Sequence, residues 1–222
     1  MSNPFTRARF RLSGENLSHL PADSGRELAF AGRSNAGKSS AINTLTGIGG
    51  LARTSRTPGR TQHLVVFDLD EDHRLVDLPG YGYAKVPRAM REHWGRELGR
   101  YLNERASLAG LVVIMDSRHP LKDNDWLLLE ACASRGLPAL ALLTKADKLN
   151  RSDQQRALQQ VRKELAAAGA GDTAVRLFSS SKPERLDRLR GELADWLWRQ
   201  VPPPASVATT ATAATPGAAE SG

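Results

Sequence analysis

Apolar positions along the chain fall into two alternating textures. Unbroken apolar runs occur at residues 111–115 (Leu-Val-Val-Ile-Met) and 139–143 (Ala-Leu-Ala-Leu-Leu). Runs with no polar face predict central strands covered on both sides. These two strands are expected over 111–116 and 139–144, with further strands at 28–31, 64–69, 74–77 and 175–179. Longer amphipathic segments between them predict helices over 38–45, 88–108, 124–135, 153–168 and 183–199, the last with Pro183 as its first residue. Trp94, Leu98, Tyr101, Leu102 and Leu108 fall at helical spacing and read as one core-facing stripe. Trp196 and Trp198 read as packing rather than binding residues. Strands alternating with helices argue for an α/β fold, a mostly parallel sheet between two helical layers.

Composition bounds the rest. The chain has 222 residues, 40% hydrophobic and 25% charged, which is globular composition and room for one domain plus a tail. Residues 202–222, mainly Pro, Ala, Thr, Ser and Gly with the single charge Glu220, are too poor in apolar surface to offset their ordering entropy, and disorder is expected there. The expected division is a basic N-terminal extension over 1–25, one domain over 26–201 and the tail 202–222. Thirty-one Lys and Arg against 24 Asp and Glu give a net charge of +7, all of the basic residues lying before the tail, so an anionic partner is expected. No apolar run approaches the roughly 18–20 residues of a bilayer span, and the N-terminus lacks the apolar stretch of a secretory signal. Cys132 is the only cysteine, which excludes an intrachain disulfide and fits a reducing compartment. A cytoplasmic monomer is expected.

The chemistry begins where the first predicted strand ends. Gly32-Arg33-Ser34-Asn35-Ala36-Gly37-Lys38-Ser39 matches G-x-x-x-x-G-K-[ST] between a strand and a helix. A polyphosphate needs many donors and little steric bulk. Gly32 and Gly37 let the backbone turn its N–H groups inward, and the following helix adds its positive end. Lys38 is expected to reach the β- and γ-phosphates and the Ser39 hydroxyl to hold Mg²⁺. An ordinary glycine turn is the competing reading, and the strand–helix context argues against it.

Two later motifs distinguish the base. Asp77-Leu78-Pro79-Gly80 is a D-x-x-G at a strand end: Asp77 can hold Mg²⁺ through a water, and the Gly80 N–H can contact a γ-phosphate and register its loss. Thr144-Lys145-Ala146-Asp147 follows an apolar strand at the end where open α/β sheets bind ligands. The Asp147 carboxylate can accept from guanine N1–H and the 2-amino group, whereas adenine offers only an acceptor at N1. The Lys145 stem can cover the base face. Alone, this tetrapeptide is an unremarkable charged corner; its order after the other two motifs favours guanine. Phe178-Ser179-Ser180-Ser181 could offer backbone amides to guanine O6. Between the first two motifs, residues 52–62 are basic and contain Pro58-Gly59; Thr54, Thr57 and Thr61 each could bring a hydroxyl to Mg²⁺.

At this point the sequence resembles bacterial GTPases of the translation-factor class, and closely the EngB (YihA/YsxC) family. The matching strings are residues 32–40, Ala52-Arg53-Thr54-Ser55, Pro58-Gly59-Arg60-Thr61-Gln62, the specific Asp77-Leu78-Pro79-Gly80-Tyr81-Gly82-Tyr83-Ala84-Lys85, Thr144-Lys145-Ala146-Asp147-Lys148 and Phe178-Ser179-Ser180. The likeness covers about residues 10–200. It implies a single P-loop GTPase domain with a mixed, mostly parallel six-stranded sheet, a role in assembling the large ribosomal subunit, and a link to cell division and septation. It assigns the switch-loop magnesium ligand to Thr61 and places Gly59, Arg60, Gln62, His63, Leu78 and Pro79 beside the nucleotide. Thr144 stands where other GTPases carry Asn, Tyr81 where many carry a water-orienting Gln, and Ala36 where many relatives carry Val. Slow hydrolysis is therefore expected, with Lys38, Thr61 and Gly80 as the catalytic set. Asn35 resembles the loop asparagine that in related GTPases helps hold K⁺, a second candidate ion.

Two arginine strips could meet ribosomal RNA: Arg7, Arg9 and Arg11, and Arg53, Arg56 and Arg60 with Lys85, Arg88 and Arg91 beyond. Readout by shape and phosphate is expected, without DNA specificity. The competing readings are a GTP-binding module with little turnover, a GTPase acting on another RNA partner, on tRNA modification or on ion transport, and a P-loop ATPase, against which Asp147 argues.

Overall fold

The computed structural model describes residues 3–52, 63–81 and 88–199, with backbone alone for 88–94. The switch-loop positions from Arg53 to Gln62, Lys85, the tail 202–222 and the side chains of Arg88, Arg91 and Trp94 lie outside that description. In chain order the elements are β1 (Arg9–Gly14), β2 (Arg26–Gly32), α1 (Lys38–Thr46), β3 (Leu64–Asp68), β4 (His73–Asp77), α2 (Arg88–Glu104), β5 (Leu108–Asp116), α3 (Asp123–Arg135), β6 (Ala139–Thr144), α4 (Arg151–Ala167), β7 (Ala174–Leu177) and α5 (Leu186–Trp198).

The strands form one sheet in the order β1-β3-β4-β2-β5-β6-β7. The pairs β1–β3 and β3–β4 are antiparallel, and the remaining pairs are parallel. The unbroken apolar runs take the positions expected of them. In β5, Leu111, Val113 and Met115 face a core shared with Tyr101, Leu102, Leu128, Leu129, Val161 and Leu165 of α2, α3 and α4. Val112 and Ile114 face the other core, with Ile42 and Leu45 of α1 and Leu189, Leu193 and Leu197 of α5. Each such aliphatic side chain, removed from water, contributes about 1.5–3 kcal/mol. The parallel strands thus deliver their carboxyl ends to one edge between two helical layers.

Four expectations are corrected. The sheet has seven strands rather than six. The added strand, β1, is an edge strand whose residues are mostly exposed, so its sequence Arg-Phe-Arg-Leu-Ser-Gly carries no buried face to betray it. The N-terminal segment expected to precede the domain is built into it. Besides β1, Phe5 is fully buried and packs edge-on to Trp198 with ring centres 5.7 Å apart. The helix expected over 88–108 ends at Glu104, because the Asp23 carboxylate accepts the N–H groups of Ala106 (2.9 Å) and Ser107 (2.8 Å) and turns the chain, so Leu108 opens β5. The last helix starts at Leu186 rather than Pro183. Arg185 has φ +58°, incompatible with continuing a right-handed helix through it.

At the amino ends of β2, β4 and β5, opposite the phosphate loop, lies a buried ionic cluster. Glu27 is fully buried and accepts from Arg74 (3.0 Å), from Arg105 (2.6 and 3.0 Å) and from the Tyr101 hydroxyl (3.1 Å). Arg105 also donates to Pro21 O at 2.9 Å, and Arg74 to Ser24 O at 3.0 Å. The cluster pins the 21–24 loop and the end of α2 to the sheet.

Candidate nucleotide site

The segment after β2 turns tightly into α1, with Ala36 N–H donating to Arg33 O at 3.0 Å. Asn35 and Gly37 both take positive φ, +63° and +100°, and Gly37 caps the amino end of α1. At Gly32 the constraint is space: a Cβ would fall 2.7 Å from Ile114 O. At Gly37 the nearest atom to a Cβ, Thr144 Oγ1, is 3.5 Å away, so the requirement there is the backbone conformation. Lys38 opens α1, and its ammonium donates to the Asp77 carboxylate at the end of β4, both side chains nearly buried. Burial pushes Asp77 up from the ordinary carboxylate range, opposed by the Lys38 charge and hydrogen bond. Ser39 is the second residue of α1. The Ser39 hydroxyl and the Asp77 carboxylate are hard oxygen donors of the kind that suits Mg²⁺. Among the described residues no group of three His, Cys, Asp or Glu could hold a metal ion.

The two loops expected to read the base are stitched together. Ala146 N–H donates to Phe178 O (3.1 Å) and Phe178 N–H to Leu143 O (2.8 Å). The Ser179 hydroxyl donates to Asp147 Oδ1 at 2.6 Å; this bond, with Lys148 3.3 Å from Oδ2, holds Asp147 below the usual carboxylate range, charged and able to accept. The Thr144 hydroxyl donates to Ala36 O and lies 3.0 Å from Met115 O. The threonine in place of asparagine therefore ties the base loop to the phosphate loop. Lys145, at φ +55°, reaches Asn35 O at 2.6 Å.

The structure brings Gly32, Arg33, Ser34, Asn35, Ala36, Gly37, Lys38, Ser39, Asp77, Leu78, Pro79 and Gly80 together at the carboxyl ends of β2 and β4, with Thr144, Lys145, Ala146, Asp147, Phe178, Ser179 and Ser180 at those of β6 and β7. His63 immediately precedes β3, its Nε2 3.6 Å from Glu15 of the N-terminal segment. Gly59, Arg60, Thr61 and Gln62 are outside the described residues. Two site-shaping residues were not anticipated. Asp116, at the end of β5, is 3.0 Å from the Lys145 ammonium and accepts from Arg118 at 2.9 and 2.7 Å. The Arg118 bonds, ahead of Lys145, hold its pKa well below the usual range. Asp125 meets the Tyr81 hydroxyl. A carboxylate at the end of an apolar strand was the available signal for Asp116; nothing in the spacing of Tyr81 and Asp125 marks that pair.

Fold and site together define a P-loop GTP-binding domain. A family model described as 50S ribosome-binding GTPase matches residues 27–145. The probable GTP-binding protein EngB of Stenotrophomonas maltophilia is 54% identical over 197 residues, covering 89% of this chain and 98% of that protein. Its counterpart in Pseudoalteromonas atlantica is 55% identical over 192 residues, covering 86% and 93%. The chain belongs to the EngB family of GTP-binding proteins, within the GTPases. A crystal structure of a probable GTP-binding protein EngB shares the fold at TM-score 0.63 and 21% identity, covering 77% of this chain and 98% of that one. Era in complex with MgGDPNP and nucleotides 1506–1542 of 16S ribosomal RNA does so at 0.57 and 18%, covering 81% and 59%. At these identities the structural likeness speaks to the fold alone. No helix among the described residues is long and apolar enough to cross a membrane.

Proposed function

We propose that this protein is a slow, Mg²⁺-dependent GTP-hydrolysing switch in large ribosomal subunit assembly, acting in the cytoplasm as a monomer and required for normal cell division and septation. The observation that carries the guanine half is the convergence of the Lys38–Asp77 pair and the Ser179-held Asp147 carboxylate on one edge of the sheet. The ribosomal half is supported by the family description, a 50S ribosome-binding GTPase, and by the excess of basic residues.

The reaction is in-line attack of water on the γ-phosphorus, breaking its bond to the β–γ bridging oxygen and releasing GDP and phosphate. Lys38 moves from Asp77 to the β- and γ-phosphates, and the N–H groups of Asn35, Gly37, Lys38 and Ser39 surround the developing charge. Ser39, Thr61 and, through a water, Asp77 would hold Mg²⁺, which when bound neutralises the phosphate oxygens. Asp147 selects guanine, with Lys145 over its face. With Tyr81 after Gly80, no side chain there orients the water, and turnover is slow. K⁺ near Asn35 would add positive charge at the phosphates; equal turnover in potassium and sodium removes that reading.

Of the two basic strips, the switch-region one, Arg53, Arg56 and Arg60, is favoured for RNA. Arg7, Arg9 and Arg11 share their concavity with Asp68, Asp70 and Glu71, and Arg11 is paired with Asp68 at 3.1 Å. RNA contact and γ-phosphate contact would then reside in one element, letting GTP gate docking. Co-sedimentation with purified large subunits tests this. Binding is expected with a non-hydrolysable GTP analogue and not with GDP, and it weakens steeply with salt and on Arg53/Arg56/Arg60→Ala substitution. Subunit binding indifferent to nucleotide, salt and those arginines contradicts the proposal.

A further inference from the structure

The pairing of β2 with β4 continues past the strand ends with a change of register. Leu78 N–H donates to Phe30 O at 2.9 Å. The next donor in a regular parallel ladder would be Gly80, to Gly32 O. Tyr81 takes that place instead: its N–H donates to Gly32 O at 3.4 Å, and its carbonyl accepts from Ser34 N–H at 2.9 Å. One extra residue is thereby inserted at Pro79-Gly80, and proline has no N–H to give. A bulge of this kind re-aims backbone groups next to a site. Gly80 nevertheless stays against the phosphate loop, since a Cβ on it would lie 3.6 Å from Ser34 N and 3.7 Å from Gly32 O.

A side chain closes the clamp. The Tyr81 hydroxyl donates to Asp125 Oδ1 at 2.6 Å, and the other Asp125 oxygen accepts from Lys122 N–H at 2.8 Å, at the start of α3. Asp125 is 1% exposed, so both of its bonds are protected from water. Burial raises the Tyr81 phenol well above its ordinary range, and the hydroxyl remains a donor at all physiological pH.

We propose that Tyr81 and Asp125 are positioning residues that fix the Gly80 N–H against the phosphate loop, so that preference for a nucleoside triphosphate over a diphosphate depends on their hydrogen bond. This rests on the γ-phosphate contact proposed for Gly80. A diphosphate does not reach Gly80, so loosening the clamp weakens the triphosphate selectively. It also gives a physical role to a tyrosine at a position where a water-orienting glutamine is common: its side chain is committed to α3.

The test uses the full chain with Mg²⁺ and fluorescent GDP and GDPNP, for the wild type, Tyr81→Phe, Asp125→Asn and the double variant. GDP affinity is expected to stay within about twofold of wild type. GDPNP affinity is expected to fall roughly fivefold to tenfold in Tyr81→Phe, the net scale of one ordinary hydrogen bond, and the double variant is no weaker than the weaker single, as for two residues acting as a unit. Parallel weakening of both nucleotides with a lowered melting temperature makes the pair merely structural and overturns the proposal. Unchanged GDPNP affinity in Tyr81→Phe overturns it while leaving the nucleotide reading intact. A wild-type protein that binds neither nucleotide removes both.

Discussion

Replacing Lys38 with alanine is expected to lower GTP affinity by about a hundredfold or more and, separately, to destabilise the empty protein by about 3–5 kcal/mol. The first effect follows from losing a charge-assisted contact to two phosphates in a low-dielectric pocket. The second follows from Asp77. Its carboxylate is 5% exposed and its hydrogen-bonded partner is the Lys38 ammonium, and removing one member of a buried pair strands the other. The two effects separate in the Lys38→Ala/Asp77→Asn variant. Neutralising the carboxylate restores most of the stability, and GTP binding stays lost. Thermal melts and nucleotide titrations on the three proteins check this. A single variant that melts with the wild type would contradict the account of the pair.

Glu27→Ala is expected to cost folding as much as Lys38→Ala does, with little effect on the site. Two arginines and a tyrosine hydroxyl converge on this fully buried carboxylate at the end of the sheet away from the phosphate loop. Its removal leaves Arg74, 4% exposed, and the partly buried Arg105 without their main partner. The cost is about 3–5 kcal/mol, a large share of a typical domain's total, and corresponds to a fall in melting temperature of about 6–20 °C. Below its melting transition the variant should bind GDP as the wild type does. A melting temperature within about 2 °C of wild type, on the same size scaling, would mean the cluster adds nothing to stability.

What the sequence disclosed follows from the range of each interaction. Local signals were enough for β5 and β6, whose unbroken apolar runs are buried on both faces, and for the glycine-framed loop, whose chemistry lies in consecutive residues. The D-x-x-G and T-K-A-D motifs gained meaning only from order. What escaped depends on contacts between distant segments. β1 is exposed along most of its length, and its partner β3 is the main sign of it. The end of α2 is set by Asp23, far back in the chain, rather than by its own residues. Pro183 suggested a helix start that the positive φ of Arg185 moves to Leu186. Tyr81–Asp125 and Lys145–Asp116 join segments whose proximity only the sheet order creates.

The central claim, a GTP switch that acts on the large ribosomal subunit, is tested most directly by single-turnover GTP hydrolysis in potassium buffer with and without purified large subunits. The account predicts slow GTP cleavage by the protein alone, no use of ATP, and clear stimulation by the subunit. GTP bound tightly but left uncleaved under both conditions would contradict it and leave a GTP-binding module without turnover.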